Sequence, residues 1–330
     1  MMPDKLEFKL VDAFALSPYS GNVAGVILDA DGLTGSQMQA IAAEFNASET
    51  TFILPATTRD AAVRFRWFTP ACEVGFCGHA TLAGAHALFE SGRFAHALNE
   101  PGTVLPIESK AGNLTIRTEK HPDNEPTESP PETLRHRPMA CGDKQPYTIW
   151  LDMPHCEPKR APVVVPAIAK HLGLSEGAVD LAIPAVRTQD DDVILAIRDL
   201  PTLLELQPAM AGLARYCTKN RIRGVLVTTT NVLSAATVVQ SRFFAPSAGV
   251  DEDPVTGSVH GPLGLHLVDS GIVPMTGDKA DFYCAQAKAG GRAGVVRVVV
   301  TRSASGERHV RIGGSCITTA TGTLQQRPKQ

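Results

Sequence analysis

The sequence predicts an α+β protein built from two similar halves. Three observations carry this. Strand-like segments are followed by single helices, and that pattern restarts at residue 147. Two helices, at 78–90 and 256–269, are made largely of small and apolar residues, which suits helices enclosed by sheet. Both helices are introduced in the same way. Phe68-Thr69-Pro70, an acidic loop and Gly78-His79 precede one; Phe244-Ala245-Pro246, an acidic loop and Gly257-Ser258 precede the other. Self-similarity of this kind marks a duplicated unit.

Residues 5–14 alternate through Phe8, Leu10, Asp12 and Phe14 as a half-buried strand does. The turn Ser17-Pro18-Tyr19-Ser20-Gly21-Asn22 leads into a second strand, 23–28, which stops in the turn-forming stretch 29–32. Thr34 with Gln37 three residues later reads as a capping box. Met38, Ile41, Ala42 and Phe45 then recur at helical spacing, so a helix should end near Asn46. Strands are expected at 50–54, 63–68, 103–107 and 114–119, with the first small-residue helix at 78–90. Residues 121–138 are rich in Pro, Glu, Asp, Thr and Arg, with almost nothing apolar, which predicts an inserted linker. The second half reads as strand 147–153, helix 166–171, strand 193–198, helix 203–216 and strands 224–229 and 236–244. Helix 256–269 and strands 294–301 and 309–317 follow. The expected division is an N-terminal lobe of 1–140, rejoined by a final strand near 316–330, and a C-terminal lobe of 141–315.

The chain's 330 residues fit two domains, and 43% hydrophobic residues supply a core that needs neither disulfides nor a metal. Its net charge of −3 argues against a nucleic-acid partner, which calls for a basic excess. Apolar runs such as 295–300 fall far short of the roughly 20 residues of a membrane span. No signal-peptide core opens the chain, so a cytoplasmic protein is expected. Seven scattered cysteines, an odd number with no C-x-x-C pair, form no disulfide framework and no zinc site.

Gly78 and Gly257 carry the first functional reading. Glycine lets backbone approach a ligand closely, and a helix start offers unpaired N–H groups and partial positive charge. Two such starts facing one crevice would hold a small carboxylate. The plainer reading is that both glycines only begin helices.

Four blocks extend this to a family. VDAFALSPYSGNVAGV (11–26), MQAIAAEFNASETTFIL (38–54), RFRWFTPACEVGFCGHATLAGAHAL (64–88) and RFFAPSAGVDEDPVTGSVHGPLG (242–264) together resemble the PhzF family of phenazine-biosynthesis-like isomerases. Their order and spacing agree over most of the chain. The resemblance implies a diaminopimelate-epimerase-like fold: two pseudo-equivalent lobes, each a curled mixed sheet around a central helix. It implies cofactor-free isomerisation of a small carboxylate-bearing metabolite, a dihydro-hydroxyanthranilate in the best-known member, and a homodimer. Its motif positions make Glu49 the general base and acid, with His79 and Asp253 as further catalytic residues. Ser48, Gly78, Gly257 and Ser258 become substrate-binding residues, and no metal is implied. The family's usual Gly-Asn-Pro is Gly21-Asn22-Val23 here, and the 121–138 insertion is a second departure.

Each of these residues has a competing role. Glu49 would need desolvation, from Phe45, Phe52 and Ile53, to abstract a proton from carbon; otherwise it is an exposed strand-edge acid. Glu44, on the outer helix face, is its solvated rival. His79 sits where a helix start disfavours imidazolium, so a neutral ring is expected. Asp253 is held extended before Pro254, whereas Asp251 and Glu252 can simply complement the helix dipole. Ser258 is either a carboxylate donor or a cap. Cys77 holds the place of the first thiol of two-thiol racemases of this fold, but the block 252–257 has no second thiol, so Cys77 reads as a packed residue. The rival functions are a racemase or epimerase of an amino-acid-like substrate and a non-catalytic metabolite-binding or interaction protein.

Overall fold

The computed structural model describes residues 5–94, 103–120, 147–154, 156–161, 164–175, 177–288 and 290–325. The linker expected at 121–138 lies outside the described residues. The described chain forms two compact units. One comprises the residues up to Lys120 with Tyr147–Asp152 and the segment from Gly313 onward; the other is built from Met153–Ile312.

In the first unit, strand β1 (Leu6–Ala13) lies between β2 (Asn22–Ile27) and β18 (Cys316–Leu324), antiparallel to both. The chain's last strand thus returns beside its first. Strand β2 runs parallel to β3 (Glu49–Pro55), and β3 antiparallel to β4 (Val63–Phe68). Strand β4 pairs at one end with the short β5 (Glu73–Val74) and at the other, in parallel, with β6 (Val104–Ser109). Then come β7 (Gly112–Lys120) and β8 (Tyr147–Met153). Helix α1 (Gly35–Phe45) begins at the capping box of Thr34 and Gln37 and ends where Asn46 turns left-handed, with φ 49°. Its Met38, Ile41 and Ala42 pack against Ile27, Phe52, Leu54 and Phe68. Helix α2 (Gly78–Glu90) is buried from Gly78 through Phe89, as its small residues require.

The second unit repeats this plan. Its strands β9 (Lys159–Arg160), β10 (Val186–Arg187), β11 (Val193–Ala196), β12 (Val225–Thr229) and β13 (Val239–Ala245) pair in that order, with β11 and β12 parallel. Strand β13 pairs with the short β14 (Val250–Asp253) and, in parallel, with β15 (Lys279–Ala287), as β4 pairs with β5 and β6. Strand β16 (Ala293–Arg302) follows, then β17 (Arg308–Gly314). Helices α3 (Val165–Leu172), α4 (Leu200–Glu205) and α5 (Met210–Asn220) cover a core of Leu195, Val225, Val227 and Phe244. Helix α6 (Gly257–Asp269), like α2, has 13 residues and is buried through Leu267.

The duplication extends to side chains. Arg66 and Glu73 form a two-pronged pair at 2.7 and 3.0 Å, and Arg66 stacks 5.1 Å from the Phe68 ring. Arg242 and Glu252 form the same pair at 2.7 and 3.0 Å, with Arg242 5.0 Å from Phe244. The two loop acids are therefore committed to arginines two residues before each phenylalanine. Glycine serves close packing in both central helices. A Cβ on Gly84 would come within 2.7 Å of the Phe65 ring, and one on Gly264 would collide with Val298. Gly84→Ala should cost about 1–3 kcal/mol through overpacking, read as a lower denaturant midpoint at unchanged slope.

Three expectations change. The helix placed at 203–216 is two helices, because Pro208 lies in the connection and cannot supply a helical N–H. The strand placed at 309–317 is two strands, β17 and β18, parted at Ser315. Strand β15 was absent from the expected elements, although its buried residues Ala280, Phe282 and Cys284 alternate with Asp281 and Tyr283. Among the described residues no helix is long and apolar enough to cross a membrane.

Candidate active site

Neighbouring parallel strands β2 and β3, together with the start of α2, converge on one cluster. Ala24 lies beside Glu49 in the sheet, so Asn22, which starts β2, and Ser48, which immediately precedes β3, lie at the same end of adjacent strands. The Ser48 hydroxyl donates to Asn22 Oδ1 at 2.9 Å, and the Asn22 amide lies 3.2 Å from His79 Nδ1. On the other side of the ring, His79 Nε2 lies 3.2 Å from Glu49 Oε2. That contact is an ion-pair approach rather than an aligned hydrogen bond. Ser48, Glu49, Gly78 and His79, all singled out in the sequence, are thus brought together. Glu44 points away and is exposed.

The surroundings of Glu49 differ from those expected. Phe45 packs on Phe8 and Phe52 on Phe68, inside the first unit's core. The groups beside the Glu49 carboxylate are His79 and Cys77. Cys77 is buried as a packed residue would be, but its sulfur is 3.5 Å from His79 Nδ1, so it belongs to the site.

The charge balance follows. Burial works against a charge on His79, but the Cys77 sulfur and the Glu49 carboxylate carry its pKa well above the ordinary 6.5. Cys77 is itself pushed up by burial and then by Glu49, so at neutral pH it is a neutral thiol. The charge that holds the His79 proton is therefore the Glu49 carboxylate. The helix start alone predicts a neutral ring; the adjacent carboxylate outweighs it. Turning over the Asn22 amide lets Ser48 and Asn22 serve His79 with or without a proton on Nδ1. NMR titration should show the His79 imidazolium persisting above pH 6.5, and a midpoint at or below 6.5 would contradict this assignment. In stability terms, this contribution is complete below pH 6.5 and lost as pH rises through the raised pKa.

Glu49, Cys77 and His79 each offer a ligand atom, all within 4.8 Å of one another, as a soft divalent ion would require. Their closest approaches, however, are to opposite ring nitrogens, thiol to Nδ1 and carboxylate to Nε2. The thiol and the carboxylate thus flank opposite sides of the ring, a placement that also suits proton transfer.

In the second unit the other expected residues fall into two groups. Asp253 Oδ2 accepts from the Thr256 hydroxyl at 2.5 Å, and Gln286 ties both residues by donating to the Asp253 carbonyl at 2.8 Å and to Thr256 Oγ1 at 3.1 Å. Thr256 is the N-cap of α6, where Cys77 is the N-cap of α2, so a hydroxyl stands in the place of a second thiol. Gly257 and Ser258 begin α6, and Ser258 Oγ accepts from Arg223 Nη2 at 3.0 Å. Arg223 in turn forms a two-pronged pair with buried Asp192. Burial pushes the Asp192 carboxyl up to about 6, with Arg223 pulling the other way.

Sequence reading missed Asn22, Arg223, Asp192 and Gln286 as participants. Asn22 had a signal in its Gly-Asn motif. Arg223 lies 31 residues from Asp192 and 35 from Ser258, and nothing local marks it.

Comparison with known proteins supplies the family. Residues 11–322 match the family model PhzC-PhzF, phenazine biosynthesis-like protein. The chain is 31% identical over 311 residues to the uncharacterized isomerase YddE of Escherichia coli, covering 93% of this chain and 94% of that one. It is 34% identical over 310 residues to an uncharacterized isomerase of Deinococcus radiodurans, covering 92% and 90%. The crystal structure of a PhzF-family phenazine biosynthesis protein from Bacillus anthracis superposes with a TM-score of 0.79 at 25% identity, covering 98% of this chain and 99% of that one. The matched blocks, the two small-residue helices and the repeated sheet plan concur, and the chain belongs to the phenazine biosynthesis-like family of isomerases.

Proposed function

We propose that this protein is a cofactor-independent isomerase that moves a proton between carbons of a small carboxylate-bearing metabolite, with Glu49 carrying the proton. The observation that supports this most is the approach of the Glu49 carboxylate to buried His79 at 3.2 Å, beside a neutral thiol. A base for carbon acids works best when a neighbouring acid within hydrogen-bond reach can return a proton. His79 has that position, and Ser48 and Asn22 hold its ring. We assign Asp253, Gly257 and Ser258 to substrate binding and orientation. Thr256 in the matching cap position disfavours an exchange between two thiols.

Solvent exchange tests the reading. The protein in deuterated buffer would be offered a dihydro-hydroxyanthranilate, L-proline, trans-4-hydroxy-L-proline and methylitaconate, with NMR following carbon-bound hydrogen. Deuterium entering one compound, with a double bond moved, is the expected result. Exchange with inversion and no bond shift would point to an epimerase instead. No exchange in any compound while one of them binds would point to a non-catalytic binding protein.

A further inference from the structure

The second unit carries a counterpart of the Ser48–His79 arrangement, and the internal repeat locates it. Phe68 and Phe244 are matching positions, and they pair with Thr50 and Val225. One residue back, Glu49 matches Gly224; two back, Ser48 matches Arg223. The parallel neighbours agree: Ala24 lies beside Glu49, and Val193 beside Val225, so Asp192 occupies the place of Ala24. At the helix starts His79 matches Ser258. Each half therefore sets the residue after its helix-starting glycine against residues at the start of two parallel strands. In the first half this makes a proton-handling pair. In the second it makes a chain from Asp192 to Arg223 to Ser258.

That chain has a fixed polarity. A guanidinium only donates, so Ser258 Oγ must accept from it, and the serine's own hydrogen is left to be given away. Asp192, 0% exposed, grips the guanidinium with both oxygens and prevents it from swinging aside. Asp190, 3.9 Å from Arg223, adds a second carboxylate, so net positive charge cannot be the source of selectivity here. Directed donors can be: the serine hydroxyl and the first-turn N–H groups of α6. Resting on the assignment of Ser258 to substrate binding, we propose that Arg223, anchored by Asp192, is a positioning residue that commits Ser258 to donation and so makes the start of α6 select a carboxylate over its neutral amide.

Calorimetry on the full chain with 2-aminobenzoate and 2-aminobenzamide as probes tests this. The wild type should prefer the anion at least tenfold. The double variant Asp192→Asn/Arg223→Gln, which leaves no lone buried charge, should reduce that preference to threefold or less. Arg223→Lys keeps the charge without the fork, and should lower the preference at least threefold; it decides the question if the double variant does not fold. A wild type without the preference, or variants that keep all of it, would overturn the proposal. A merely structural role for Arg223 would weaken both probes alike. Preference for the anion without any solvent exchange would count against the catalytic reading alone; exchange with unaltered preference in the variants would count against Arg223 alone.

Discussion

Glu49→Gln should lower solvent-deuterium exchange by about 100- to 10,000-fold on whichever compound the wild type exchanges, the usual contribution of a positioned acid–base group. The substitution keeps size and shape but removes the stability contribution of the Glu49–His79 pair, so the melting temperature should fall more below pH 6.5 than above the raised pKa. The same variant has a second signature. Without the carboxylate, one of the two groups that raise the His79 pKa is gone, so its titration midpoint should fall below that of the wild type. Glu49→Asp retains the charge but withdraws it by one methylene, and should lose less activity than Glu49→Gln. Exchange at wild-type rate in the glutamine variant would remove Glu49 from its role. Loss of exchange with an unchanged His79 titration would mean that the two side chains do not share a proton.

Arg242→Met should destabilise the protein by about 3–5 kcal/mol, whereas Arg66→Met should cost about 1 kcal/mol or less. Both arginines make the same pair with the same distances. Burial separates them. Arg242 and Glu252 side chains are 5% and 9% exposed, against 27% and 25% for Arg66 and Glu73. Arg242 also donates to the carbonyls of Leu203, Leu204 and Leu206, which close the end of α4. Removing it strands a buried carboxylate and three carbonyls at once. Adding Glu252→Gln to Arg242→Met should recover part of the loss, because no lone charge then remains. Urea unfolding of the three variants beside the wild type reads these differences. Equal effects in the two halves would show that the repeat, and not burial, sets the energy.

The structure bears out local reading where local chemistry decides. Thr34 and Gln37 cap α1 as their spacing predicts, and Asn46 ends it by adopting a conformation few other residues tolerate. Helix α2 has the expected ends, since Gly78 opens a run rich in small residues with no helix breaker such as proline. Failures arise where one residue outweighs a periodic pattern. Pro208 divides an apparent single helix, and Ser315 parts two strands that alternate as one. At the site, Ser48, Glu49, Gly78 and His79 were legible through their motif blocks. Cys77, assigned to packing, is buried as expected, and its contact with His79 is what the fold adds.

By itself, then, the order of residues determined two copies of a strand–loop–helix unit and the caps and glycines that start the helices. These depend on neighbours within a few positions, where chain geometry leaves little choice. Tertiary structure alone decided that a buried imidazole is held charged by that acid, that the loop acids serve arginines, and that Arg223 reaches both Asp192 and Ser258. Such pairings join residues tens of positions apart, and their strength depends on how much water the fold excludes, a property of the packed chain and of no segment in it.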